Sequence, residues 1–181
     1  ESWLSPVRDA RAFSRMSGVD EQSAKGRFVF VGSRLSLTGQ NADEWLPIQP
    51  GSESLVALAM ANVISGAGAG AGPYRDIVNA YTPENVSEAT GIPAENIREL
   101  AIQFAEGPSL ALGPGVAGQH RNATAANLAV AVLNSVAGNV GRTLHYSAPQ
   151  LNAPAFGYSG VERVMQLIGQ GVVGAVMIHG S

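Results

Sequence analysis

Three predicted strands of this chain end in glycine and other small residues, a pattern that lets a ligand approach the backbone. The strand ends are Gly32-Ser33-Arg34, Gly113-Pro114-Gly115 and His179-Gly180-Ser181. In an open α/β sheet, ligands bind beyond the carboxyl ends of the strands, where backbone N–H groups suit phosphate oxygens. The pattern therefore indicates a nucleotide or another phosphate-bearing ligand. The alternative is that glycine simply turns the chain after each strand.

Two charged residues could hold such a ligand. Arg34 could pair with a phosphate through two parallel hydrogen bonds, or it could be an ordinary exposed side chain. Glu53 lies in the first turn of a predicted helix, where a carboxylate complements the helix dipole. It could instead accept hydrogen bonds from a purine or a ribose. The sequence leaves both alternatives open for each residue.

The sequence predicts no catalytic residue and no metal site. The three histidines, His120, His145 and His179, are too far apart in sequence to have metal-ligand spacing. The strongest polar cluster is Gln119-His120-Arg121, just before a predicted helix, and no GxSxG elbow is present. The absence of cysteine excludes disulfides, thiolate zinc sites and cysteine-ligated iron–sulfur clusters within this chain.

The composition bears on whether the protein binds nucleic acid or spans a membrane. Among 181 residues, 45% are hydrophobic and 14% are charged, which is enough apolar material to build a core. The formal net charge is -3 at pH 7, without the clustered basic face that nucleic-acid binding needs. No apolar run reaches about 18 residues. The sequence therefore predicts neither a nucleic-acid partner nor a direct membrane span.

An α/β framework is needed to position the candidate residues. Short apolar runs predict strands at residues 28–31, 43–48, 109–112 and 172–178, with 143–146 as a further candidate. Helical signals fall between these runs. The alternation predicts the α/β class, with a mostly parallel sheet flanked by helices. The last apolar run is typical of a strand buried on both faces.

Capping residues and periodicity predict the helices. Ser52 or Ser54 could cap the first long helix, and Thr82-Pro83-Glu84 is a strong helix start. A further helix begins at Pro93 and has its apolar face at Ile97, Leu100, Ala101 and Phe104. A helix over residues 122–137 follows. Its predicted buried stripe consists of Leu128, Ala131, Val132 and Val136.

The glycine-rich and turn-forming segments divide the chain into three predicted parts. Residues 1–64 would be the end of one Rossmann-like α/β lobe. Residues 65–73, which contain the repeat SGAGAGAG, would be a Gly/Ala linker or a disordered loop. Residues 74–181 would form a second α/β lobe, truncated at its C-terminus because a two-faced strand needs neighbours. We therefore expect the chain to be a fragment of a larger protein.

The segment Asn41-Ala42-Asp43-Glu44-Trp45-Leu46-Pro47-Ile48-Gln49-Pro50-Gly51-Ser52-Glu53 resembles the "ADEWLPIRPGTD" segment of the molybdopterin oxidoreductases. Further passages resemble the family in the family's own order; they are residues 27–34, 81–104, 112–118, 133–143 and 176–181. Within the family, Ser5-Pro6-Val7-Arg8, Leu37-Thr38-Gly39 and residues 134–143 are similar to one branch. That branch is the molybdopterin-like large iron–sulfur subunit of alternative complex III.

The resemblance implies a function for the full-length protein. It would be an oxidoreductase subunit in electron transfer, binding molybdopterin guanine dinucleotide, with iron–sulfur clusters elsewhere in the chain. This stretch would cradle the dinucleotide without activity of its own. The strand ends and the resemblance together predict as cofactor-binding residues Gly32, Ser33, Arg34, Glu53, Gly113, Gly115 and Gly180. An alternative is a cofactor-less structural scaffold that docks partner subunits of a respiratory complex.

The resemblance also predicts the partners and the cellular location of the full-length protein. The partners would be the remaining domains of the same chain and other subunits of a bacterial, membrane-associated redox complex. We expect that complex on the periplasmic side, with a cytoplasmic location as the alternative. Three departures bear on the cofactor. The glycine-rich continuation that the family has after Gly141 is replaced by Arg142-Thr143-Leu144-His145-Tyr146. Gly32-Ser33-Arg34 stands where the family usually has Asp-Pro-Arg, and Glu53 stands where it has Asp.

Overall fold

The computed structural model describes residues 6–18, 25–68, 70–114, 121–146 and 158–176. Its elements, in chain order, are α1 (Pro6–Met16), β1 (Val29–Val31), α2 (Leu37–Gln40), β2 (Glu44–Leu46), α3 (Glu53–Ile64), a 3₁₀ turn (Gly72–Tyr74), α4 (Arg75–Asn79), α5 (Pro83–Thr90), α6 (Ala94–Glu106), α7 (Ala123–Val136) and α8 (Tyr158–Gly169). The chain divides into two compact units, Glu1–His145 and Tyr146–Ser181. The first unit contains every element up to α7, and the second contains α8.

The sheet of the described residues is small and parallel. β1 pairs with β2, with Val29 opposite Glu44 and Val31 opposite Leu46. The fold is therefore α/β, with more helix and less strand than the sequence predicts. The prediction of strands was confirmed at β1 and β2, because both are short apolar runs ended by small residues or proline.

Three of the predicted strands do not form as strands in the described residues. Residues 109–112 form no strand, because side chains rather than a neighbouring strand bind their backbone groups, as detailed below. The 143–146 candidate is reduced to a single bridge between Val140 and Leu144. Of the last predicted strand, residues 172–176 are in no strand and are mostly exposed, and the remainder lies outside the described residues. The mostly parallel sheet is thus corrected to a two-stranded one in the described chain.

Helix α3 is the centre of the first unit. Every residue from 56 to 62 is buried, and Ala59 and Ala61 have no exposed surface. The helix packs against α4, α5, α6 and α7. Its small side chains allow these neighbours to approach closely on several sides. The core therefore surrounds α3, rather than lying along the single stripe that helical spacing suggests.

Helices α5 and α6 form where their capping signals predict. The Thr82 hydroxyl accepts a hydrogen bond from the Asn85 N–H at 3.3 Å, and α5 ends at Gly91. On α6, Ile97 and Ala101 are completely buried, and Leu100 and Phe104 pack against the core. Both predictions were confirmed because the signals are local.

The predicted buried face of α7 was wrong at two of its four positions, since Val132 and Val136 do pack against the core. Leu128 is 63% exposed, and Ala131 is exposed as well. The buried residues are Ala126, Ala129, Leu133 and Asn134. Because α7 packs its alanines closely against α3, the larger Leu128 is turned outward, and a polar side chain takes a place in the interior.

The glycine-rich stretch forms hydrogen-bonded turns where it is described. The Gly68 N–H donates to the Ser65 hydroxyl at 3.0 Å, and the Gly70 N–H donates to the Ser65 carbonyl at 2.8 Å. Ala71 is buried in the core. The three-part division of the chain stays a prediction.

Candidate functional site

The carboxyl end of β1 is held by β2. The Gly32 N–H donates to the Leu46 carbonyl at 3.2 Å, and the Trp45 indole N–H donates to the Gly32 carbonyl at 2.9 Å. Both backbone groups of Gly32 are therefore engaged within the protein. Ser33 and Arg34 follow at the surface, and both are exposed. A ligand at this edge would meet these two side chains rather than the Gly32 N–H.

The chain reaches α3 through residues 49–53, which we call the 49–53 turn. Gly51 has a φ of +81°, a left-handed conformation that disfavours residues with a Cβ. Ser52 is the N-cap residue of α3, but its hydroxyl donates to the Gln49 carbonyl at 2.6 Å and makes no capping bond to the helix. Glu53 is partly buried in the first turn of α3. The turn therefore fixes the position of Glu53 at the start of α3.

Helix α7 brings this turn together with the predicted glycine site at residue 113. The Asn122 side-chain amide, at the N-cap of α7, donates to the Gly51 carbonyl at 2.9 Å. One turn further along α7, Asn127 lies against Gly113, where an added Cβ would be 2.1 Å from Asn127 Oδ1. A side chain at residue 113 would therefore displace the Asn127 amide, whereas the nearest backbone atom, Asn127 Cα, would lie 3.6 Å from the added Cβ. Both candidate ligand loops contact the N-terminal part of one helix.

The structure places five of the seven predicted cofactor-binding residues. Gly32, Ser33 and Arg34 lie at the β1 edge, Glu53 begins α3 two residues after Gly51, and Gly113 lies against Asn127 of α7. Gly115 and Gly180 lie outside the described residues. The assignment of all seven residues to a cofactor stays a prediction.

A buried amide network supports residues 109–114, and sequence reasoning missed it. Asn134 on α7 is only 2% exposed. Its Oδ1 accepts from the Ala111 N–H at 3.0 Å, and its Nδ2 donates to the Ala111 carbonyl at 2.9 Å. Asn134 gave only a weak signal in the sequence, because α7 has three other polar residues, Thr124, Asn127 and Ser135. Its partner could not be read from the sequence, since Ala111 lies 23 residues away.

A charged cluster fastens the opposite end of the two strands. Asp43 Oδ2 accepts from the Phe28 N–H at 2.8 Å, and Oδ1 pairs with the Lys25 ammonium at 3.0 Å. The hydrogen bond from Phe28, with the Lys25 and Arg27 charges, lowers the pKa of Asp43 below its ordinary value. Arg27 also pairs with Glu44. These contacts are structural, since they lie at the start of the strands.

The described residues offer neither a metal site nor a membrane-spanning helix. No group of three or more His, Cys, Asp or Glu side chains within them could hold a metal ion. None of the helices in the described ranges is long and apolar enough to cross a membrane.

No protein-family model matches the chain. Among curated proteins, it is 34% identical over 113 residues to the menaquinone reductase molybdopterin-binding-like subunit of Nitratidesulfovibrio vulgaris, covering 59% of this chain and 16% of that subunit. It is 27% identical to the arsenate respiratory reductase molybdopterin-containing subunit ArrA of Chrysiogenes arsenatis, covering 70% of this chain and 19% of ArrA. The dimethyl sulfoxide reductase DmsA of Escherichia coli is 25% identical, with coverages of 74% and 21%.

A solved structure has a similar fold. Acetylene hydratase from Pelobacter acetylenicus aligns with a TM-score of 0.59 at 24% identity, covering 76% of this chain and 20% of that chain. At this identity the likeness concerns the fold. The chain therefore spans about a fifth or less of the length of these relatives.

Proposed function

Since the chain belongs to the molybdopterin oxidoreductase family, we propose that it cradles the dinucleotide end of the cofactor in a subunit that takes part in electron transfer. The relatives that support the family are much longer than this chain. The redox chemistry of the full-length protein would therefore involve other parts of it.

One observation carries the proposal, namely that α7 gathers two candidate loops. Asn122 binds the 49–53 turn at Gly51, and Asn127 lies against Gly113. These contacts join parts of the chain separated by about 60 residues, from Gly51 to Gly113, on one short stretch of helix. A dinucleotide needs such a convergence, because its base and its phosphates must be bound at the same time.

The available side chains suit a guanine dinucleotide. The exposed Arg34 guanidinium can donate two parallel hydrogen bonds to a phosphate. The Glu53 carboxylate can accept from the N–H groups of a purine edge. Gly113 adds a residue without a side chain against Asn127 of α7. When bound, the cofactor would supply the molybdenum centre, and the residues of this chain would bind and orient its nucleotide end.

The scaffold alternative is favoured by one observation. Both backbone groups of Gly32 are engaged by Leu46 and Trp45, so this glycine has no N–H left for a phosphate. The strand end also has Gly-Ser-Arg in place of the usual Asp-Pro-Arg. A chain that has lost its cofactor would keep the frame and use its surface to dock partner subunits.

The partners and the cellular location of the full-length protein are part of the same proposal. The partners would be the remaining domains of the chain and other subunits of a membrane-associated redox complex, on the periplasmic side. The narrower assignment to the alternative complex III branch is also proposed. It draws support from residues 5–8, 37–39 and 134–143.

The test is cofactor analysis of the purified full-length protein. Nucleotide released by acid would be separated by chromatography, and molybdenum would be measured by elemental analysis. We expect a guanine nucleotide in the wild type. We expect about tenfold less retained nucleotide in Arg34→Ala and in Glu53→Gln, because each loses a charge-assisted hydrogen bond.

Two exposed residues provide matched controls, Arg163 on α8 and Glu88 on α5. Arg163→Ala and Glu88→Gln should retain as much nucleotide as the wild type. A wild-type protein without pterin or guanine nucleotide would overturn the cradle proposal and support the scaffold. Equal losses in the controls and in the site variants would remove Arg34 and Glu53 from the site.

A further inference from the structure

We infer that Asn134 is a positioning residue, which fixes residues 109–114 so that Gly113 is presented to the ligand; this rests on the proposed cofactor cradle. The main evidence is that the Asn134 side-chain amide binds both backbone groups of Ala111, the N–H at 3.0 Å and the carbonyl at 2.9 Å. A residue in a sheet makes these two bonds to a neighbouring strand. Asn134 therefore substitutes for a strand, which explains why residues 109–112 are ordered without belonging to a sheet.

The hydrogen-bonding capacity of the Asn134 amide is fully used. Its Nδ2 also donates to the Val130 carbonyl at 3.1 Å, and its Oδ1 also accepts from Asn139 Nδ2 at 3.1 Å. With the two bonds to Ala111, both donors and both acceptor sites are engaged. The orientation of the amide is fixed, because the Ala111 N–H can only donate and the two carbonyls can only accept. A buried and fully satisfied polar group of this kind is rigid and specific.

A second layer of polar contacts holds the same segment. Asn139 Nδ2 donates to the Ser109 hydroxyl at 3.2 Å, and the Thr143 hydroxyl donates to the Ser109 carbonyl at 2.5 Å. The Asn139 carbonyl in turn accepts from the N–H groups of Arg142, Thr143 and Leu144. The turn after α7 thus binds Ser109 while α7 itself binds Ala111. The segment is held at two alternate residues along one side.

Only a short stretch of chain separates Ala111, which Asn134 binds, from Gly113. Ala111 precedes Gly113 by two residues, which is at most about 7 Å of extended chain. Asn127, which lies against Gly113, precedes Asn134 on α7 by seven residues. Residues seven apart lie on the same face of a helix. One face of α7 therefore carries both Asn127, which lies against Gly113, and Asn134, which binds and positions Ala111.

The test compares Asn134→Ala with Asn62→Ala in the full-length protein. Asn62 is a matched control because it is also buried, and its Nδ2 donates to the Val78 carbonyl at 3.0 Å from α3. The first readout is hydrogen exchange of a peptide covering residues 109–114, relative to a peptide covering α6. The second is the guanine nucleotide retained by the purified protein.

We expect Asn134→Ala to accelerate exchange in residues 109–114 at least about tenfold relative to α6, since the Ala111 N–H loses its acceptor. We expect retained nucleotide to fall about tenfold. Asn62→Ala should change both readouts less than about twofold. Asn134→Ser keeps a small polar group but is too short to bind both backbone groups of Ala111, so it should give intermediate exchange, and it serves if the alanine variant does not fold.

Two results would overturn the inference. One is unchanged relative exchange of residues 109–114 in the Asn134 variants. The other is an equal loss of nucleotide in Asn62→Ala, which would mean that Asn134 acts only through general stability. A wild type that holds no nucleotide would overturn the proposed function and the ligand role of Asn134 with it. The exchange readout would still decide separately whether Asn134 holds the segment.

Discussion

Asp43 illustrates how a single side chain joins the two strands. Its carboxylate accepts from the Phe28 N–H at 2.8 Å, and its own N–H donates to the Phe28 carbonyl at 2.8 Å. The charge of Lys25 lies 3.0 Å from the other carboxylate oxygen. These contacts favour the ionised carboxylate, so protonation of Asp43 weakens the start of the sheet.

Acid should therefore destabilise the protein partly through Asp43. The pKa of Asp43 is lowered in the folded protein from an ordinary value of 3.8, chiefly by the hydrogen bond from Phe28. Its contribution to stability is then fully present above pH 3.8 and is lost as the pH falls through the lower, folded value. Urea unfolding at a series of acidic pH values would measure this dependence.

We expect Asp43→Asn to be less stable than the wild type at neutral pH and to lose less stability on acidification. Asp76→Asn is the matched control, because Asp76 is an exposed carboxylate in the first turn of α4. The control should keep the acid dependence of the wild type. An identical dependence in Asp43→Asn and the wild type would contradict the role assigned to Asp43.

Residue-level prediction failed where burial depends on a distant partner. The periodicity of α7 places Leu128 in the interior, yet it is 63% exposed, whereas Asn134 is 2% exposed. A stripe of large apolar residues is a reliable guide only when the packed surface has room for them. The alanines of α3 and α7 pack too closely for that. The inward Asn134 is stabilised by Ala111, which the local sequence of α7 does not contain.

At the scale of elements, the connection from β2 to α3 positions the candidate site. The 49–53 turn begins with the Gln49 N–H donating to the Thr90 carbonyl at 3.0 Å, at the end of α5. It then passes through Gly51, whose carbonyl is bound by Asn122 of α7. Three helices therefore meet at this turn. The position of Glu53 depends on all of them.

Gly51→Ala should destabilise the protein by about 1–2 kcal/mol, because alanine is strained at a φ of +81°. Its Cβ would also lie 3.4 Å from the Asn122 amide nitrogen. Urea unfolding at neutral pH would measure the loss. The control is Gly107→Ala, since Gly107 has a φ of -136° and no atom within 4 Å of an added Cβ.

The control should change the free energy of unfolding by less than about 0.5 kcal/mol. A Gly51→Ala protein as stable as the Gly107→Ala protein would mean that the turn relaxes to a conformation that accepts a side chain. In that case the 49–53 turn would not be fixed as described.

Elements with local signals were predictable, and those that depend on long-range pairing were not. Thr82, Pro83 and Gly91 mark the ends of α5 because they act on adjacent backbone groups. Residues 109–112 have strand-like composition, but their pairing depends on what lies beside them. In the structure, Asn134 and Thr143 occupy that side. Of the candidate site, the turn and the glycine were predictable, and their convergence on α7 was not.

At the scale of the whole chain, burial is uneven among the helices. The core consists of residues from β2, α3 to α7 and the connections between them. Helices α1 and α8 contribute no fully buried residue among those described. On α8, the exposed apolar residues are Val161, Val164, Met165 and Ile168. Local stability should follow this distribution, because opening a helix that buries little apolar surface costs little free energy.

Hydrogen exchange of the 181-residue chain should therefore be slowest in α3 and much faster in α8. Residues 56–62 of α3 are all buried, and their opening would disrupt the packing of four other helices. The described residues of α8 are exposed except Gly160 and Leu167, which are partly exposed. Mass spectrometry of peptides covering α3, α6 and α8 would rank the three helices. Protection of α8 equal to that of α3 would contradict this ranking and would require that the apolar residues of α8 be covered.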